Sequence, residues 1–280
     1  MYIRSITFPD HEVESLYFIC KVKRTVYSSF YPFQVLSKRG LERLDFEPVT
    51  ILYGGNGSGK TTALNIIAEK DALYNKSSFF PKYLTFCEIE ETFDQPAFKR
   101  IITSDDVFDF VLTLRSVNEA VDEKRVEMFE EYLDIKKTKF QLRSLEDYDR
   151  LKKMNETRRK TQSKYVNDNL MKNIREQSNG ESAFRYFIEK IEENGLYLLD
   201  EPENSLSPAK QIELKQYIED AARFFNCQFI ISTHSPFLLA MNHAKVYDLD
   251  QEPVETRKWT ALEQVNVYRS FFKEHENDFD

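Results

Sequence analysis

The stretch YGGNGSGKTT, Tyr53–Thr62, decides how the rest of the chain reads. Only seven glycines occur in 280 residues, yet Gly54, Gly55, Gly57 and Gly59 all fall here. Glycine serves where φ must be positive or where another group must approach the main chain closely. A flexible linker would run longer and be polar on both sides. Here PVTILY precedes the cluster as an apolar, β-branched run, the pattern of a buried strand. KTTALNIIAEK follows it, with Leu64, Ile67 and Ala68 at helical spacing. Strand, glycine turn and helix form the context in which G-x-x-x-x-G-K-[ST] means a phosphate cradle, and Gly54, Gly59, Lys60 and Thr61 match that pattern. The N–H groups of the loop (Gly54, Asn56, Gly57, Ser58, Gly59) and of the helix start (Lys60, Thr61, Thr62) then point at an anion. Lys60 reaches the outer phosphates, and the Thr61 hydroxyl faces Mg²⁺. The expected ligand class is a nucleoside triphosphate with Mg²⁺, and the loop alone leaves the task open.

Working outward, the chain has 41% hydrophobic and 31% charged residues, an ordinary globular mixture. The net charge of −8 argues against a dedicated nucleic-acid binder, which is usually basic. The charge is uneven, however, with ten Lys/Arg against five Asp/Glu between Arg143 and Arg175. Such a run is most often a solvated helix face and less often a surface for a partner or a phosphate backbone. Cys20, Cys87 and Cys227 show no zinc spacing and fit a reduced compartment. MYIRSITFPDHE lacks a signal-type apolar stretch, and no apolar run nears the ~18 residues of a membrane span. A cytoplasmic chain, not itself a membrane pore, is expected.

MYIRSITF, SLYFICKVK and PFQVLS read as short strands leading into the strand before the glycine loop, and KYLTFCEIEE as a further strand candidate. From about Arg115 to Glu176 there is no Gly or Pro, and Val126, Phe129, Tyr132 and Leu133 recur at helical spacing. Next come the turn NGES and a helix over AFRYFIEKIEEN, with Gly195 placed as its terminating residue. LYLLDE is a strand, and SPAKQIELKQYIEDAARFF a helix with Ser207 as N-cap and Pro208 at its first position. CQFIIS and KVYDLD are strands, and WTALEQVNVYRSFFKEHENDFD a helix with an acidic tail. The alternation predicts an α/β fold with a mainly parallel sheet and short strands at the N-terminus. The domains read as a core over 1–114 and 183–280, interrupted by a helical insertion over 115–182.

Three further motifs carry chemistry. LYLLDEPEN is an apolar strand tipped by Asp200 and Glu201; ligands of open parallel sheets sit at such carboxyl ends. One acid there can support the Mg²⁺ sphere, and its neighbour can orient or deprotonate a water. IISTHSP sets His234 straight after another buried strand, where an imidazole can hydrogen-bond a γ-phosphate. EQSNGESAF places Ser178 and Gly180 at the start of a helix, a second anion site. Gly54–Thr61 already cradles one ATP, so the second site is expected to serve the ATP of another subunit.

Taken in order, Gly54–Thr61, QSNGES, LYLLDEPENSLS and STHSP resemble the ABC-type ATPases. The nearest resemblance is to the SMC/RecF-like branch and to small stand-alone bacterial AAA-family ATPases. It spans most of the chain except, in detail, the insertion. By resemblance, the fold is that of a P-loop NTPase of ABC type. Lys60 and Thr61 bind phosphate and Mg²⁺, Asp200 supports the metal, Glu201 is the catalytic base and His234 the switch histidine. Ser178 and Gly180 match the signature that caps the partner's ATP, and Asn204 and Ser205 lie in the loop that touches the partner subunit. The signature departs from LSGGQ: Asn179 stands for a Gly and Glu181 for the Gln. The glutamine loop has two candidates, Gln95 in TFDQPAF and Asp105 in IITSDDVFDF, with Asp105 preferred as a metal-side ligand. About 60 residues of insertion are too few for the long coiled coil of SMC proteins. The resemblance implies a homodimer that sandwiches ATP and acts on DNA or on a partner protein encoded nearby; the lack of a long apolar run leads to the expectation of no membrane association. A transporter's ATP-binding subunit and a slowly hydrolysing scaffold that holds an effector are the alternatives.

Overall fold

The computed structural model describes residues 1–21, 30–70, 80–137, 159–170 and 179–279. The strands are β1 (Ile3–Thr7), β2 (Arg43–Asp45), β3 (Val49–Tyr53), β4 (Glu88–Glu91), β5 (Phe98–Thr103), β6 (Gly195–Asp200), β7 (Gln228–Ser232), β8 (Lys245–Asp248) and β9 (Glu255–Thr256). The helices are α1 (His11–Lys21), α2 (Lys60–Lys70), α3 (Phe80–Leu84), α4 (Ser104–Lys137), α5 (Gln162–Asn169), α6 (Asn179–Lys190), α7 (Pro208–Phe224), α8 (Pro236–Leu239) and α9 (Glu263–Glu274). The chain divides into two compact units, Met1–Val107 with Asn179–Asp280, and Phe108–Ser178.

In the first unit a six-stranded sheet runs β5-β6-β7-β3-β8-β9, and β1 pairs antiparallel with both β2 and β4 in a second, three-stranded sheet. β5, β6, β7, β3 and β8 are mutually parallel, and β9 returns antiparallel on β8. The fold is therefore α/β and mainly parallel, with an antiparallel N-terminal part. The central strands are buried along almost their whole length and mostly apolar because both of their faces are covered. Leu52, Leu196, Leu198 and Ile230 point to one side, into a cluster with Ala63, Leu64, Ile66 and Ile67 of α2. Ile51, Tyr53, Tyr197, Leu199, Phe229 and Ile231 point to the other, against Ala183 and Phe187 of α6 and Leu214, Ile218 and Ala221 of α7. Register aligns Leu52 and Asp200 on either side of Ser232, so three carboxyl ends meet at one edge.

Several local expectations change. The described part of SLYFICKVK is α1, a helix rather than a strand. Asp10 starts it, accepting from Val13 N at 2.7 Å, with Glu12 and Glu14 in the first turn. PFQVLS is a turn with Gln34 at φ 64, entering a 3₁₀ helix over Ser37–Arg39. The buried Glu14 carboxylate holds that turn by accepting from Gln34 N and Ser37 Oγ, both at 2.8 Å. Tyr17 and Phe18 leave α1 to pack on Phe33, so the apolar residues of this region build an aromatic cluster. In KYLTFCEIEE only Glu88–Glu91 is strand, and α3 precedes it. Gly195 does not end the preceding helix, which stops at Lys190; Asn194, at φ 59, takes the left-handed turn. Gly195 opens β6, where a Cβ would collide with the Tyr197 ring.

The second unit is helical where described. Tyr132 of α4 packs with Tyr165 and Val166 of α5, joined by Met128, Phe129 and Leu170. The Tyr132 hydroxyl donates to Lys160 O at 3.0 Å, and Lys160 pairs with Asp168 at 2.8 Å. α4 begins at Ser104, earlier than the expected start of the insertion at 115. Thr103 and Asp106 form a reciprocal cap: Asp106 Oδ2 accepts from Thr103 N and Oγ1, and Thr103 Oγ1 accepts from Asp106 N. Arg150 to Arg158 of the basic stretch lie outside the described residues.

Candidate functional site

The glycine loop leaves β3 and enters α2 at Lys60, as its sequence requires. Gly57 and Gly59 have φ of 81° and 98°, conformations that L side chains rarely adopt. Gly54 answers the second need, close approach: a Cβ there would collide with Ser58 Oγ. Asn56, Gly57, Ser58, Gly59, Lys60, Thr61 and Thr62 line a cavity of about 300 Å³ together with Tyr31, Val35 and Glu201. The Ser58 hydroxyl is buried without a hydrogen-bond partner among the described residues.

Lys60 is 4% exposed. Its ammonium donates to Gly54 O at 2.7 Å and Gly55 O at 3.1 Å, and lies 3.5 Å from Glu201 Oε1. Thr61 Oγ1 donates to Asp200 Oδ1 at 3.2 Å. Burial pushes the Asp200 carboxyl above its ordinary value, and the Thr61 hydroxyl partly opposes that shift. Hydroxyl and carboxylate oxygens side by side suit Mg²⁺, which takes few protein ligands and completes its shell with water and phosphate.

Glu201 sits just past β6 at φ 48 and ψ 55, left-handed for a residue with a side chain. That conformation is unfavourable by roughly 1–2 kcal/mol. It is held by Glu201 N donating to Ser232 O at 2.9 Å, and by Asn204 Nδ2 donating to Glu201 Oε2 at 3.0 Å. The carboxylate therefore projects into the cavity edge beside Lys60. His234 Nδ1 lies 4.0 Å from Glu201 Oε1 and 3.3 Å from Glu203 Oε1. Phosphate loop, acid pair and histidine thus come together from the ends of β3, β6 and β7.

Of the remaining expected site residues, Gly180 and Asp105 are described, and neither lines that cavity. Ser178 lies outside the described residues. Gly180 is in the first turn of α6, and a Cβ on it would make ordinary contact with Ser207 N and Ser205 O. Asp105 is exposed in the first turn of α4, where the neighbouring Asp106 does the capping. Register pairs Thr103 with Asp200, so Asp105 follows the neighbouring strand end. Gln95 lies in the loop before β5.

Four participants were not read from the sequence. Tyr31 and Val35 line the cavity, Val35 from the segment expected to be a strand and Tyr31 from the residue just before it. Asp250 grips the phosphate loop, its two oxygens accepting from Gly55 N at 3.1 and 2.8 Å. Glu203 is buried beside His234. Asp250 follows a strand that neighbours β3, and Glu203 is the third acid of DEPE. Both signals were present but needed the strand order to acquire meaning.

Residues 178–239 match the family model described as an AAA ATPase domain. No curated protein matches the chain. By structure it is similar to the SMC head domain from Thermotoga maritima, at 13% identity over 92% of this chain and 99% of that one, TM-score 0.43. It is also similar to the Smc head domain of Pyrococcus furiosus bound to the C-terminal domain of ScpA, at 13% identity over 84% and 95%, TM-score 0.41. A structure described as a metal-chelate type ABC transporter shares 19% identity over 80% and 78%, TM-score 0.39. The segment matched by the AAA ATPase domain model takes in α6, β6 with the acid pair after it, β7 and His234.

Proposed function

We propose that the chain binds and hydrolyses ATP with Mg²⁺, and that two copies close head to tail around the nucleotide. The observation that carries this reading is the convergence of Lys60, Thr61, Asp200, Glu201 and His234 at one sheet edge. The loop amides and Lys60 hold the phosphates. Thr61 and Asp200 would hold Mg²⁺, which would supply positive charge against the phosphates. Glu201 Oε1 accepts the proton of the attacking water, whose oxygen bonds to the γ-phosphorus as the bond to ADP breaks. His234 steadies the γ-phosphate. Tyr31, which lines the cavity, would stack on the base.

Gly180 at the start of α6, with Ser178 before it, would cap the nucleotide of the second copy. Asn204 and Ser205 follow the acid pair on the turn that Gly180 approaches. The cycle of closing and opening would act on DNA or on an effector protein encoded nearby. No described helix is long and apolar enough to cross a membrane.

Glu201→Gln tests the reading. Gln keeps the size and can hold the water but cannot take its proton, so turnover should fall by about 10²–10⁴. ATP binding should survive, and a closed dimer should accumulate in light scattering with MgATP. Wild-type turnover already near zero and unchanged by the substitution would favour a nucleotide-gated scaffold. Loss of ATP binding would make Glu201 structural.

A further inference from the structure

Between the turn that carries Glu201 and the strand end that carries His234 lies Glu203, which the mechanism above leaves without a task. Its side chain is 5% exposed, and no Lys or Arg pairs with it among the described residues. A buried carboxylate is strongly unfavourable unless its oxygens are engaged. Oε1 accepts two hydrogen bonds, from Thr233 Oγ1 at 2.6 Å and His234 N at 2.9 Å, and His234 Nδ1 lies nearby at 3.3 Å. Oε2 is buried without a partner among the described residues. An acid held this way, where an apolar side chain would fill the space more favourably, points to a use for its charge.

The contacts continue as a chain. Thr233 Oγ1 accepts from Ser235 N at 3.0 Å, and Ser235 Oγ donates to Gln211 Oε1 at 2.6 Å. Gln211 Nε2 donates to Leu206 O at 3.0 Å. The network therefore links the turn after Glu201 to the residues after β7, through buried Thr233 and Ser235. A carboxylate only accepts, so the short approach of His234 Nδ1 is attractive only when Nδ1 carries a proton.

We propose that Glu203 is the positioning residue of His234. It holds the proton on Nδ1, fixes the ring through both backbone and side chain, and leaves Nε2 for the nucleotide. It also couples the ring to the Pro202–Leu206 turn, so displacement of that turn by a second copy would move the histidine. Glu201 cannot substitute for it, standing 4.0 Å from Nδ1 and being committed to water. The catalytic part of this inference rests on the ATPase reading; the tautomer part does not.

The test uses the full chain and two readouts. The first is the ¹⁵N spectrum of the His234 imidazole without nucleotide, assigned by its loss in His234→Gln. Wild type should show a protonated Nδ1, and Glu203→Leu should lose that preference. A wild-type ring protonated on Nε2 alone would overturn the proposal without any variant. The second is steady-state turnover. Glu203→Gln should lower kcat about 10-fold, part of the 10²–10⁴ that acid–base groups supply, with ATP affinity unchanged. In a His234→Ala background the same substitution should have no further effect. An equal loss in both backgrounds, or a loss of ATP affinity without a kcat effect, would make Glu203 structural only. Absence of turnover in wild type would fail the ATPase reading, while the imidazole spectrum would still decide Glu203.

Discussion

Single side chains set the phosphate loop, and two kinds of glycine requirement can be separated there. Gly54→Ala puts a Cβ into Ser58 Oγ, so the loop has to move. Gly57→Ala meets nothing within 4 Å and carries only the strain of φ 81, roughly 1–2 kcal/mol. Calorimetric titration with MgATP should therefore show a larger loss of affinity for Gly54→Ala. Lys60→Ala should abolish tight binding outright while circular dichroism stays native. Asp250→Ala should weaken binding by about 10-fold, because Gly55 N loses an ionised acceptor worth roughly 1.5–3 kcal/mol. Equal affinity to wild type would show that the loop holds its shape without Asp250.

Glu14 gives a pH-dependent prediction at the same scale. Burial raises its carboxyl above the ordinary value, with the Ser37 and Gln34 hydrogen bonds opposing. The folded chain therefore holds that proton to higher pH than the unfolded chain does. The stability penalty is absent well below the ordinary carboxyl value and grows as pH rises through the folded one. Glu14→Gln removes the titration. Its stability relative to wild type in urea melts should rise between pH 4 and 7, and a flat difference would contradict the shift.

Helix ends decide the element scale. Asp10, Thr103 with Asp106, Ser207 and Ser235 each satisfy N–H groups that a helix start leaves open. Asp106→Ala should destabilise by about 1 kcal/mol, read as a lower Tm or faster amide exchange at the start of α4. Asp105→Ala should leave stability unchanged. If Asp105 serves the metal side of the site, its substitution should instead lower the Mg²⁺ dependence of ATP affinity. The misread elements belong here too. Asp10 and the acids after it mark a helix start, but Leu16, Tyr17, Phe18 and Ile19 in a row mimic a buried strand. Such a run satisfies either period, and the aromatic contacts of Tyr17 and Phe18 with Phe33 decided it.

At the scale of the molecule, the proposed two-copy arrangement predicts complementation. Ser178→Arg and Lys60→Ala should each be inactive alone. Mixed under conditions of subunit exchange, they should regain turnover, because one site then pairs an intact Lys60 loop with an intact Ser178. Absence of recovery would remove the shared site while leaving the single-chain chemistry in place.

The parallel α/β class, the phosphate loop and the acid-tipped strand were legible from residues alone. Their signals are local: a glycine pattern between strand and helix, and a carboxylate pair after an apolar run on β6. The strand order was not legible, because register between distant strands leaves no mark in a continuous apolar stretch. Only that order sets β7 between β3 and β6, bringing Asp200 to Thr61 and His234 to Glu201. Only it gives Asp250 and Glu203 their places, since each acts on a backbone N–H far away in sequence: Gly55 for one, His234 for the other. The N-terminal aromatics were settled the same way. A side chain that packs in a cluster takes the backbone conformation the cluster favours, and the cluster forms from segments that meet only when the chain has folded.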